Sequence, residues 1–241
     1  MTTLVFLCVF FALTVVHVHG QPWTGSPWVP APNVQQDWMQ WNWMERFQEN
    51  VANSRVNGSN INVLFYGDSI VEGWGWNTAL WEQSFGRLGA ANYGIGGDGT
   101  QNVLWRIING EVDNISPRVV VIMIGTNNIG SFSEADIARG ISAIVDELRI
   151  RLPNSRILVL GILPRTDSAT TATVERINTI VSARENLNTI RFLNMRDSFY
   201  LNGQFFTQLF GSAELLHLSA AGYLRWDETM HPLFTQMWNA P

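Results

Sequence analysis

Lysine is absent from this chain of 241 residues, and all fifteen of its basic side chains are arginines. That excludes Schiff-base chemistry, Ser-Lys dyads and lysine-dependent phosphate loops. Cysteine occurs once, at Cys8, so a chain cut after residue 20 would hold neither a disulfide nor a thiol nucleophile. Histidine is nearly as scarce: after residue 20 only His217 and His231 remain, and no cluster of Cys, His and carboxylates has the spacing of a zinc site. Neither a metal nor a cofactor is expected. The formal charge of −5 carries no electrostatic footprint for nucleic acid or anionic lipid.

Long apolar runs are missing too, apart from one at the start. Leu4 to Val18 is almost wholly apolar and gives way to Gly20 and a polar, Pro-rich stretch beginning at Gln21. The run is too short to span a bilayer, and small residues near position 20 suit cleavage there. Residues 1–20 are therefore expected to be a secretory signal, atypical in carrying no Lys or Arg, with an uncleaved anchor as the weaker alternative. The mature chain is then expected outside the cell, without stable membrane insertion. About 220 residues suffice for one well-buried α/β domain and are tight for two. The expected division is a Trp-rich leader over residues 21–55 and a single catalytic domain over 56–241.

Five apolar runs read as buried strands: Ile61 to Tyr66, Ala91 to Tyr93, Val119 to Ile124, Ile157 to Gly161 and Ile190 to Leu193. Segments with helical spacing lie between and after them, at Ala79 to Phe85, Gln101 to Ile108, Ser133 to Leu152, Thr173 to Leu187 and Ala220 to Trp238. Unbroken apolar strands alternating with helices imply a parallel sheet covered on both faces, a three-layer α/β/α sandwich. In such sheets the site forms beyond the carboxyl ends of the strands.

The residues beyond those strand ends share one character, a glycine beside a polar group. Gly67-Asp68-Ser69 succeeds the first run, Gly94 to Asp98 the second, and Gly125-Thr126-Asn127-Asn128 the third, while Glu214-Leu215-Leu216-His217 precedes the last helix. A serine hydroxyl is a weak nucleophile at neutral pH and needs an imidazole within hydrogen-bond reach. His217 stands in a loop; His231 lies inside the last helix beside Pro232 and reads as packing. If the loops converge, Ser69 attacks, His217 takes its proton, Glu214 orients the ring, and the backbone N–H groups of Ser69 and Gly97 with the Asn127 amide hold the oxyanion. A backbone carbonyl could orient His217 in place of Glu214.

These blocks, GDS at 67–69, Gly97, GTN at 125–127 and ExxH at 214–217, resemble the four blocks of the SGNH (GDSL) hydrolases in order and position. NYGIGGDGTQNVLWR at 92–106, NGE at 109–111, VLGILPR at 159–165 and HLS at 217–219 are similar to the catalytic α subunits of intracellular platelet-activating-factor acetylhydrolase. The resemblance runs from about Trp38 to the end. It implies a flavodoxin-like five-stranded parallel sheet in the order 2-1-3-4-5 and assigns the roles just named to Ser69, Gly97, Asn127 and His217. It further implies that Ile70, Thr126 and Leu216 confine the acyl pocket to about acetyl size. The chain departs from that pattern in having Glu214 where Asp is usual, and in its expected secretion. The family's intracellular partner is therefore not expected here, whereas a homodimer is compatible with the sequence.

Three function classes are open to such a chain: an acetylhydrolase acting on a phospholipid such as platelet-activating factor or on a small ester, a glycan O-acetylesterase with the same triad, and a binding protein that kept the fold without activity. A lone GxS triplet is weak, and Val71 stands where GxSxG needs glycine. Asp68 is read as tying down the turn. Gly94 to Gly99 does not have GxGxxG spacing, so no nucleotide site is expected. Five of the eleven tryptophans precede residue 45, which fits either a carbohydrate- or lipid-binding surface or a packed cap. Asn57-Gly58-Ser59 is a glycosylation sequon expected in a loop before the first strand.

Overall fold

The computed structural model describes residues 25–211 and 213–241, so the expected signal and Trp23 lie outside the described residues. Five strands, β1 (Val63–Gly67), β2 (Ala90–Gly94), β3 (Val119–Met123), β4 (Arg156–Leu160) and β5 (Ile190–Leu193), form one sheet in the order β2-β1-β3-β4-β5. Every pairing in it is parallel, as the apolar runs require. Alternation along each strand splits the core in two. Leu64, Tyr66, Val120 and Ile122 face helices α4 (Thr100–Arg106), α5 (Glu134–Arg151) and α6 (Ser168–Ser182). Val63, Phe65, Val119 and Val121 face the other way, toward α7 (Ala220–Asn239).

Local chemistry places the helix starts. Ser133, Asp167 and Ser219 stand just before α5, α6 and α7, and each accepts a first-turn backbone N–H, from Asp136, Thr170 and Gly222 in turn. The Asp167 cap starts α6 at Ser168, five residues before the periodicity alone suggests. Short helices α2 (Ser69–Glu72) and α3 (Thr78–Ser84) lie between β1 and β2, and a small hairpin of β6 (Tyr200–Leu201) and β7 (Gln204–Phe205) follows β5. Among the described residues no helix is long and apolar enough to cross a membrane.

Part of the leader is helical. Residues 43–57 make a helix, α1 (Trp43–Asn57), capped by Asn42, whose side chain accepts the N–H groups of Met44 and Glu45. This helix crosses the boundary expected at residue 56. Trp43, Phe47, Val51 and Ser54, spaced by four, four and three, are its buried face, and the first three form a third apolar cluster with Ile95 and Trp105. Asn57 is thus the exposed last residue of a helix rather than part of a loop.

Candidate active site

β1 ends at Gly67 and α2 begins at Ser69, so the chain turns within one residue. Asp68 makes the turn: its buried carboxylate accepts the Ile70 N–H at 2.9 Å and caps α2. Burial pushes the Asp68 carboxyl up to about 7; the Ile70 hydrogen bond opposes the shift, and Asp98 and Glu72 add to it. Ser69 is thereby fixed as the first residue of a helix, with its N–H pointing out of the helix start.

The segment before α7 brings the imidazole to it. The Gly211 N–H donates to the His217 carbonyl at 2.9 Å and the Ser219 N–H to the Leu209 carbonyl at 2.9 Å, which draws Leu209 and Gly211 against His217 and Ser219. Leu215, between them in sequence, adopts φ +50°. His217 Nε2 then lies 2.9 Å from Ser69 Oγ, across 148 residues of sequence. Burial lowers the His217 pKa below the ordinary 6.5; the Glu214 charge raises it, and the Arg165 charge lowers it. Glu214 is exposed, and its field reaches the ring.

The expected oxyanion donors gather beside the serine. Gly97 has φ +81°, and a Cβ there would come within 2.9 Å of both Met39 Cε and Trp38 Cη2, so only glycine fits this turn. Asn127 Nδ2 donates to the Asp98 carbonyl at 2.8 Å, which fixes the amide and leaves its second N–H over. Among the described residues no acceptor takes the N–H of Ser69 or Gly97. Ser69, Gly97, Asn127 and His217 all line one cavity of about 480 Å³.

Of the three residues expected to bound the acyl pocket, Leu216 packs against the apolar cluster that contains Ile70. Leu216 lines the cavity. Ile70 belongs to the buried core on the α7 side of the sheet, its carbonyl accepting the Tyr223 hydroxyl at 2.8 Å. Thr126 is buried, with Oγ1 3.4 Å from Arg165 Nη1. Both are buried, and each adjoins a site residue in sequence, Ser69 and Asn127.

Below the cavity lies a charged network that the individual loop motifs did not disclose. Arg106, fully buried, donates to Asp98 Oδ2 at 2.8 Å, to the Gly67 carbonyl at 3.2 Å, to the Tyr93 carbonyl at 3.0 Å and to Glu111 Oε2 at 2.7 Å. Asp98 also accepts Trp43 Nε1 at 2.6 Å and Asn33 Nδ2 at 3.3 Å, and Asn33 donates to the Gly97 carbonyl at 3.1 Å. One guanidinium therefore braces the residue before the Asp68 turn, the oxyanion loop and, through Asp98, the leader. Burial pushes the Asp98 carboxyl up to about 6, against the pull of Arg106, and holds Glu111 well above the usual carboxylate range. A π-helical segment, Ile107–Glu111, with Gly110 at φ +103°, turns Glu111 back under Arg106. The NGE triplet is the visible trace of this turn in the sequence. Among the described residues no group of three His, Cys, Asp or Glu could hold a metal ion.

A sequence model of the GDSL-like lipase/acylhydrolase family matches residues 65–225. The α2 subunit of platelet-activating factor acetylhydrolase IB from Rattus norvegicus is 35% identical over 179 residues, covering 73% of this chain and 77% of that protein. In fold, the chain is similar to a GDSL-like lipase from Bacteroides thetaiotaomicron, with TM-score 0.63 and 21% identity over 81% of this chain and 98% of that one. A carbohydrate esterase family 3 structure from Talaromyces cellulolyticus superposes with TM-score 0.58 and 17% identity over 75% of this chain and 100% of that one. The chain thus belongs to the GDSL-like lipase/acylhydrolase family and is a carboxylic ester hydrolase of SGNH type.

Proposed function

We propose that this is a secreted esterase that removes acetyl-sized groups through an acyl-enzyme on Ser69, with His217 as base and Glu214 as the group that orients it. The 2.9 Å approach of His217 Nε2 to Ser69 Oγ carries the reading. Ser69 Oγ attacks the ester carbonyl and its proton passes to Nε2. The oxyanion is held by the N–H groups of Ser69 and Gly97 and by the second N–H of Asn127. Collapse expels the alcohol, which takes the proton from His217, and the same steps with water release acetate and restore Ser69.

Leu216 is the side chain placed to limit the acyl group, and Ile70 and Thr126, the immediate neighbours of Ser69 and Asn127, fix the backbone at that end. Platelet-activating factor, the substrate in the relatives' name, is the first compound to test, beside p-nitrophenyl acetate and butyrate. The acetate is expected to be cleaved well ahead of the butyrate, and equal rates would remove the acyl-size limit. A fluorophosphonate is expected to label Ser69; labelling elsewhere, or none, would refute the catalytic assignment. Export rests on residues 1–20 and is checked by finding the chain in the medium with its new N-terminus at Gln21. Glycosidase treatment then reads out the Asn57 sequon, and sedimentation reads out a homodimer.

A further inference from the structure

The catalytic groups use one part of the cavity; the remainder is walled by Trp38, Trp41 and Trp76 and by the Arg46–Glu72 ion pair at 3.1 Å. We propose that this wall is a leaving-group subsite for a neutral sugar ring, so that the ester cleaved is an acetylated carbohydrate. The proposal rests on the Ser69 reading above and adds to it the identity of the alcohol.

The tryptophans of this wall are unlike those of the core. Trp43, Trp74 and Trp226 are fully buried, whereas Trp76 is 70% and Trp38 42% exposed. Exposed indoles gathered at a cleft mark a binding surface more than a folding requirement. Their placement is also fixed. Trp38 and Trp41 meet edge to face at 5.9 Å, and a Cβ on Gly96 would come within 2.6 Å of Trp41 Cζ2. The rings therefore lie against the loop that carries the Gly97 oxyanion donor, where the alcohol of a bound ester must lie.

The chemistry of the wall selects among alcohols. Indole faces stack on the C–H faces of a sugar, and Arg46 and Glu72 supply donors and acceptors for its hydroxyls. Trp41 Nε1, on the same ring edge as the Cζ2 at Gly96, is a buried donor with no acceptor among the described residues. Indole faces also suit a quaternary ammonium, but here Arg46 stands beside them and repels a second cation; a 2-acetyl phosphocholine lipid is therefore the competing ester in the test. Among the described residues Leu216 is the one aliphatic side chain on the cavity lining, so an alkyl chain would lie on indole faces with little else to hold it. Trp38, Trp41 and Arg46 precede the family match at residues 65–225, whereas Glu72 and Trp76 fall within it.

The test compares kcat/KM of the full protein on an acetylated methyl glycoside, on ethyl acetate and on a 2-acetyl phosphocholine lipid. The glycoside is expected to exceed ethyl acetate by at least about tenfold, and Trp76→Ala to cut that ratio by about tenfold, the worth of one lost stacking contact with its burial. The exposed position of Trp76 keeps this variant folded, and a Trp38→Phe variant, which retains an aromatic face, is expected to keep more of the ratio than Trp38→Ala. A ratio near one, a ratio that Trp76→Ala does not move, or a lipid cleaved ahead of the glycoside would overturn the subsite. Binding of the glycoside to Ser69→Ala, read by saturation-transfer NMR, separates the two claims. Fluorophosphonate labelling with no glycoside binding refutes the subsite alone, and glycoside binding without labelling or turnover refutes the catalytic reading beneath it.

Discussion

Replacing Asn127 by Ala tests the oxyanion site with little else disturbed. In the folded protein one amide hydrogen of Asn127 is spent on the Asp98 carbonyl at 2.8 Å, so the side chain is oriented before any substrate arrives. A donor fixed in this way loses nothing to reorientation as charge develops. Its removal is expected to lower kcat on an acetate ester by about a hundred- to a thousand-fold, on the order of 3–4 kcal/mol of transition-state stabilisation. KM should change by less than about threefold, since a neutral ground-state carbonyl gains little from the same hydrogen bond. Losing the bond to Asp98 costs stability of only about 1 kcal/mol, because Asn127 is half-buried, and a thermal melt reads that separately. Ser69 should still react with a fluorophosphonate, more slowly. A fall in kcat below about fivefold with a normal melt would mean that Asn127 does not face the oxyanion, and the convergence of the loops would lose its chemical meaning.

The acylation rate should rise with pH through a value below the ordinary imidazole 6.5, because burial lowers the His217 pKa and the neutral ring is the base; a flat pH–rate profile between pH 5 and 8 would exclude it. Glu214→Gln removes the charge that raises that pKa, so the acid limb should move to lower pH while kcat falls by roughly ten- to a hundred-fold; an unmoved limb would transfer the orienting role to another group. Asp68→Asn should raise the melting temperature more at pH 8 than at pH 4. The folded-state pKa of Asp68 is raised to about 7 from 3.8, so the native protein holds an extra proton between those values and stability declines as pH rises through that window. Equal gains at both pH values would refute the buried-carboxyl argument. Arg106→Met strands Asp98 and Glu111 without their cation and should cost about 3–5 kcal/mol in a urea titration; a loss under about 1 kcal/mol would show that the brace carries no stability.

How much of this was legible depends on whether the signal is local. Unbroken apolar runs such as Val119 to Met123 announce buried parallel strands, because a strand covered on both faces has no polar side to show. The loops after β1, β2 and β3 were legible for a similar reason: glycine beside a polar group is needed wherever backbone must bend sharply next to a substrate. Helix α1 was not, although Asn42 and the spacing of Trp43, Phe47 and Val51 carry its signal; the concentration of tryptophan obscures the period. The expected confinement of the acyl group by Ile70, Thr126 and Leu216 came from resemblance alone; Leu216 lines the cavity, and the other two side chains are buried beside Ser69 and Asn127 in sequence.

Residue identity and short-range periodicity were enough to set the order of the five sheet strands and of the helices between them, the chemical types available and the absence of lysine chemistry. Which groups meet was settled by the packing of the layers alone. The 2.9 Å approach of His217 to Ser69 spans 148 residues, and Arg106 serves Gly67, Asp98 and Glu111 at once because the sheet order sets β1 beside β2 and α4 returns beneath their ends. Contacts of that kind depend on how distant elements come to lie against one another, and no window along the chain contains that information.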